Sequence, residues 1–191
     1  ILEGYPLYKN IGHINFGVLA NMNLPNDLVS LIHRSGVTTT MHPVELNLST
    51  VVDEQILQKI KSIGETLDVE WYEEDIGVWK WGNMFLGSHM LSPRQTIEAA
   101  AIAGKNIVRC SDFLERPFLA ENPPVYYVQG DLDMWQFMGE IADIANCSIA
   151  LDIGHMIGAQ VNSDLEVSVA PKDWSGWRRV AEIHLSGYEV V

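Results

Sequence analysis

Acidic residues and histidines gather where short apolar runs end. "TTTMH" closes on His42 and "VEWYEED" on Glu73, Glu74 and Asp75. "FLAEN" closes on Glu121 and Asn122, "IALDIGH" carries Asp152 and His155, and "AEIHLSG" carries His184. Carboxylate and imidazole are ligand types for iron, zinc and manganese. Burying so many carboxylates together without a cation costs several kcal/mol or raises their pKa values. Bound metal ions remove that cost, so a metal centre is the chemistry these residue types suggest.

Each residue taken singly has a bland explanation. His42 precedes Pro43, which holds it extended, so it could be an ordinary core or turn histidine. Glu121 could form a salt bridge, Asp152 could cap the next segment, and His184, after Ile183, could be a hydrogen-bonded core histidine. Their recurrence at five successive strand ends is what favours metal. Trp79 and Trp81, in "GVWKW", either line a pocket for an extended or apolar ligand or cover a rim. His89, in "LGSHML", is placed to reach a substrate from a loop, with a structural role as the alternative. Asn162 is a supporting or substrate-facing candidate. His33 reads as a surface residue at a helix end, and His13 sits in an apparent turn.

The elements that must position these residues alternate. Residues 24–36, 51–67, 92–114 and 131–147 have helical patterning, and 171–180 reads as a shorter helix. In the second of these, Ile56, Ile60 and Ile63 share one face. In the third, Ser92 and Pro93 suit a helix start. Strands are expected at 1–5, 37–42, 68–75, 117–122, 148–155 and 181–188, with 12–20 a seventh strand or an irregular insertion. Strands alternating with helices imply a parallel sheet, and apolar runs suit strands buried on both faces. The expected fold is a single (β/α) barrel domain of the TIM type over residues 1–191. In such a barrel the C-terminal strand ends converge on one mouth, where active sites lie. No G-x-G-x-x-G or P-loop is present, so nucleotide-binding fingerprints are absent.

Bulk properties narrow the function class. The 191 residues carry a net charge of −13, with 47% hydrophobic and 19% charged residues. That is a globular composition without the basic footprint of a general nucleic-acid binder. Cys110 and Cys147, both read as helical, offer no disulfide framework, which suits a reducing, cytoplasmic setting. No apolar run approaches the roughly 18 residues of a membrane span.

The motifs in order also resemble a known family. "HPVELNL", a strand-end acidic pair before a Trp/Gly loop, "LSPRQTIEA", "FLAEN", "LDIGH…AQVN" and "EIHLSGY" cover about residues 37–188. Together they resemble the multinuclear non-haem iron-dependent oxidative enzymes, the group of the methanobactin biosynthesis iron oxidase. The resemblance implies a TIM barrel, xylose-isomerase-like, holding two or three iron ions. It implies O₂-dependent oxidation of a ribosomally made precursor peptide, often at cysteine, usually with a partner protein that presents the peptide. It implies His42, Glu74, Glu121, Asp152 and His184 as metal ligands, with Asp75, Asn122 and His155 as further candidates. Catalysis would be carried by the metal centre, with no general base assigned. Two positions depart from the family pattern: Asp75 stands where the family has histidine, and His155 where it has asparagine. The family's first strand and its last strand, with a D-x-H pair, have no counterpart here, so an incomplete or truncated barrel is expected.

Two other readings fit the same barrel. One is a zinc- or manganese-dependent sugar isomerase, epimerase or endonuclease-type hydrolase, in which the metal polarises a substrate oxygen. The other is a non-enzymatic barrel with ordinary polar strand ends.

Overall fold

The computed structural model describes residues 11–125, 129–162 and 171–185. Its elements run β1 (His13–Gly17), α1 (Asn26–Ser35), β2 (Thr38–His42), α2 (Glu54–Leu67) and β3 (Val69–Asp75). A small hairpin follows, β4 (Lys80–Trp81) and β5 (Met84–Phe85), then α3 (Ile97–Leu114) and β6 (Phe118–Glu121). The chain continues through α4 (Met134–Ala145), β7 (Ile149–Asp152), α5 (Ile153–Asn162) and β8 (Val180–His184).

Among the described residues, six strands form one parallel sheet in the order β1-β2-β3-β6-β7-β8. Every neighbour in the sheet is also the next large-sheet strand in sequence. That is the winding of a (β/α) barrel, here an arc of six strands. An antiparallel β4–β5 hairpin stands apart from it.

Local chemistry sets the helix boundaries. Asp53 accepts hydrogen bonds from the backbone N–H groups of Gln55 and Ile56, and Asp133 and Gln136 form a capping box at α4. Gly36, Asp68, Glu115 and Asn146 are left-handed and stop α1 to α4, turning the chain towards the next strand. The core lies between the helices and the outer face of the sheet, with Leu57, Ile60, Ile107, Phe137, Met138 and Ile141 buried. Gly64 has no side chain for a packing reason: a Cβ there would overlap the Tyr72 hydroxyl.

Several sequence expectations shift. Residues 12–20 contain a strand, so His13 lies on the edge strand β1 rather than in a turn. The helix expected from Ser92 begins at Ile97, because Thr96 supplies the cap to the Ala99 N–H. The strand expected through His155 ends at Asp152 and passes directly into α5, so His155 is helical. Cys147 follows the left-handed Asn146 and lies outside α4. Residues 175–179 form a 3-10 turn. The strand expected at 1–5, and the end of the one at 181–188, lie outside the described residues. No helix among the described residues is long and apolar enough to cross a membrane.

Candidate metal centre

Register determines which side chains meet. Asn15 pairs with Thr40 and Gly17 with His42; Thr40 pairs with Trp71. Asp75 pairs with Glu121, Glu121 with Ala150, and Asp152 with His184. Side chains alternate along a strand, so Trp71, Glu73 and Asp75 share one face of β3, and Glu182 and His184 one face of β8. The polar ends of β2, β3, β6 and β8 thus meet at one place.

His42 is the hub on one side. Its Nε2 lies 3.1 Å from Glu121 Oε2, 3.4 Å from Asp75 Oδ2 and 3.7 Å from Glu74 Oε1. His184 is the hub on the other, with Nδ1 2.9 Å from Glu121 Oε1 and Nε2 3.2 Å from Glu73 Oε1. Glu74 points away from the Glu73–Asp75 face but is fully enclosed, accepting from the Leu46 and Asp75 N–H groups. Three donor groups emerge: His42 with Glu74 and Asp75; Glu73 with Glu121 and His184; Asp75 with Glu121 and His155. Within each, one ligand atom per residue lies within 4.8 Å of the others.

Electrostatics show what this packing costs. Burial pushes the Glu73, Glu74 and Asp75 carboxyls above the usual carboxylate range. Burial also resists ionisation of Glu121, but the hydrogen bond from His184 and the close approach of His42 outweigh it and bring Glu121 down to about 2. His184 is pushed up to about 12 by its hydrogen bonds to Glu121, Glu182 and Glu73. Burial pulls His42 down, yet the charge of Glu74 and the contacts of Asp75 and Glu121 raise it well above the ordinary imidazole value. In the metal-free chain the surrounding acids thus favour the charged form of both histidines.

They do not satisfy every group. Glu73 Oε2, Asp75 Oδ1 and Glu121 Oε2 are buried without a hydrogen-bond partner. Glu121 Oε2 is at ion-pair distance from His42 but lacks hydrogen-bond alignment. Unpartnered buried carboxylate oxygens beside imidazoles are what a hard or borderline divalent metal would satisfy, so the residues present fit such an ion.

The other sequence candidates fall around this centre. Asp152 is buried, and its Oδ1 caps the His155 N–H at the start of α5. Its Oδ2 lies 3.9 Å from His155 Nε2, and Asp152 is in none of the three donor groups found among the described residues. Asn122 uses both ends of its amide on the Asp152 backbone, with Nδ2 donating to the carbonyl at 2.9 Å and Oδ1 accepting from the N–H at 2.8 Å. It therefore clamps β6 to β7. His155 Nδ1 sits 2.8 Å from the Asn122 carbonyl and 3.5 Å from Asp75 Oδ1.

Trp79 is buried edge-on to His42, with ring centroids 6.1 Å apart, and Phe85 stacks on it. Asn47 pins this segment by accepting from the Trp79 and Lys80 N–H groups. Trp81 is 66% exposed on the hairpin. His89 is exposed in a 3-10 turn, and Asn162 donates to the Val125 carbonyl from the end of α5. Glu73 stood among the strand-end acids but not in the ligand set that the resemblance implies, and Glu182, His13, Asn15 and Trp71 were not expected in the site. Counting back by two from Asp75 and from His184 finds Glu73, Trp71 and Glu182.

Known proteins resemble this chain in sequence and in fold. The family described as "RiPP precursor modification enzyme MbnB/TglH/ChrH" matches residues 18–191. The chain belongs to this family. It is the family that the motifs of residues 37–188 resemble. A UPF0276 protein of Caulobacter vibrioides (strain NA1000 / CB15N) is 26% identical over 163 residues, covering 81% of this chain and 56% of its own. One from Vibrio parahaemolyticus is 24% identical over 157 residues, covering 78% and 52%. The chain thus spans about half the length of the curated relatives it matches. Among solved structures, endonuclease IV from Thermus thermophilus superimposes with a TM-score of 0.52 at 11% identity, covering 89% of this chain and 65% of that one. That likeness shows the fold alone: a xylose-isomerase-like TIM barrel, of which the described residues form an arc of six strands.

Proposed function

We propose that this chain supplies most of a multinuclear iron centre that oxidises a ribosomally made precursor peptide with O₂, often at cysteine. Membership of a RiPP precursor modification family supports a peptide substrate. The observation that carries the metal reading is the overlap of the three donor groups. Asp75 belongs to two of them and Glu121 to two. A carboxylate has two oxygens and can serve two ions, so these residues would join adjacent sites into one cluster.

In this reading His42, Glu73, Glu74, Asp75, Glu121, His155 and His184 hold the metal, with Asp152 at its edge. Bound iron would supply the redox chemistry with O₂. The chain's own part is positioning and exclusion of water. Trp79 walls the His42 side, and Asn47 holds the hairpin that carries Trp81 at the rim. Trp81, His89 and Asn162 are the groups we assign to substrate contact. A partner protein that presents the peptide, and a cytoplasmic setting, belong to the same proposal.

The test is mass spectrometry of a precursor peptide incubated with the iron-loaded protein in air. A shift on the peptide that needs O₂ and disappears in Glu121→Gln supports oxidation. Turnover with zinc and without O₂ would favour a hydrolytic or isomerising metal site instead.

A further inference from the structure

Beneath the metal-facing layer lies a second tier of polar side chains, all inside the arc. Glu182 is its centre, with a side chain only 8% exposed. Its Oε1 is 2.9 Å from His13 Nε2, and its Oε2 accepts from Trp71 Nε1–H at 2.9 Å. The His13 and Trp71 rings meet edge to face at 5.2 Å. These three residues come from β8, β1 and β3, so the tier ties together strands at both edges of the sheet and one inside it. The ligand set proposed above uses none of them.

Glu182 touches that ligand set at one point. Its Oε1 is 3.4 Å from His184 Nε2, while His184 Nδ1 faces Glu121 at 2.9 Å. A neutral imidazole has one nitrogen that donates a proton and one that can bind metal. Metal-bound histidines generally give their other N–H to a carboxylate or carbonyl, which fixes the tautomer and the ring. Both Glu182 oxygens are already held, by His13 and by Trp71, which makes it a fixed acceptor. Glu73, also near His184 Nε2, has its Oε1 taken by the Asn15 amide and its Oε2 without a partner, so it remains available to metal.

We propose that Glu182 is a positioning residue. Braced by His13 and Trp71, it accepts the Nε2–H of His184 and so directs Nδ1 to the metal shared with Glu121. This rests on the metal-centre reading and adds to it which nitrogen binds and what holds it.

The test compares wild type, Glu182→Gln and Trp71→Phe, each shown to be folded by circular dichroism. Zinc and ferrous affinities are measured by competition with a chelator, and ¹⁵N-imidazole spectra are recorded on the zinc-loaded chain. Wild type should show His184 with a metal-bound Nδ1 and a protonated Nε2. Glu182→Gln should bind metal about 10- to 100-fold more weakly and lose the single tautomer. Trp71→Phe, which removes the N–H brace together with part of the ring against His13 but keeps the Glu182 carboxylate, should move both readouts in the same direction by less. A wild-type spectrum with Nε2 on the metal, or a Glu182→Gln chain that binds as tightly as wild type, overturns the assignment alone. A wild-type chain that binds no metal overturns the metal centre and this assignment together.

Discussion

Asp75 and Glu121 are register partners on adjacent strands, and each keeps a buried carboxylate oxygen without a hydrogen bond. Their electrostatic situations are nonetheless opposite. Burial drives Asp75 up, whereas His184 and His42 overcome burial and hold Glu121 down to about 2. Asp75 therefore costs the metal-free fold stability at neutral pH, and Glu121 contributes to it. Asp75→Asn should leave the metal-free melting temperature equal or higher, and Glu121→Gln should lower it. Both should lose metal affinity by at least about tenfold, the lower end of what outer partners alone cost. Thermal melts and metal titrations on the two variants check the contrast.

The pH dependence has a defined sign. His184 has a folded pKa of about 12 against an ordinary 6.5, so its stabilisation is complete below 6.5 and fades as pH rises towards 12. Glu121 and Glu182 are both held at about 2 against 4.5; for Glu182, burial is outweighed by hydrogen bonds from His184, His13 and Trp71. Their contribution is complete above 4.5 and is lost as pH falls towards about 2. Glu73, Glu74 and Asp75, pushed up by burial, lose theirs as pH rises from their ordinary values. The metal-free chain should thus be most stable in mildly acidic solution. Metal requires neutral imidazole and ionised carboxylate, so affinity should rise with pH and binding should release protons. Calorimetry in buffers of different ionisation enthalpy measures that release.

Asn122 offers a test of structure apart from metal. Its amide satisfies both backbone groups of buried Asp152. Asn122→Ala strands them and should cost about 1–3 kcal/mol for each group left unpaired. A denaturant midpoint unchanged from wild type would show that the clamp contributes nothing.

The two tryptophans should separate stability from recognition. Trp79 is buried against Phe85 and His42, so Trp79→Ala should cost about 3–5 kcal/mol. Trp81 is 66% exposed, and Trp81→Ala should change stability by no more than about 0.5 kcal/mol. If Trp81 contacts the peptide, the same variant raises KM for it. An unchanged KM assigns Trp81 to the rim alone.

The winding of the sheet was legible because apolar runs alternate with helical patterning, and β2, β3, β6, β7 and β8 fall where those runs lie. Four strand-end residues, His42, Asp75, Glu121 and His184, were legible for the same reason and do converge. What sequence patterning concealed was depth. Glu73 and Glu182 lie one pleat below the strand ends, and nothing local reveals that Trp71 and His13, from two other strands, would bracket Glu182. Asp152 looked like a ligand by type, but its place at the first turn of α5 gives one oxygen to a helix cap. His155 read as the end of a strand because β7 passes into α5 with no loop between them, leaving the Asp152 cap as the local mark of the change.

The most direct test of the metal centre is Mössbauer spectroscopy with iron analysis on the chain loaded anaerobically with ⁵⁷Fe. Overlapping donor groups that share Asp75 and Glu121 call for two or more irons per chain, magnetically coupled, with the coupling lost in Glu121→Gln. A chain that retains no iron, or a single uncoupled ion unaffected by Glu121→Gln, would contradict the shared-carboxylate centre.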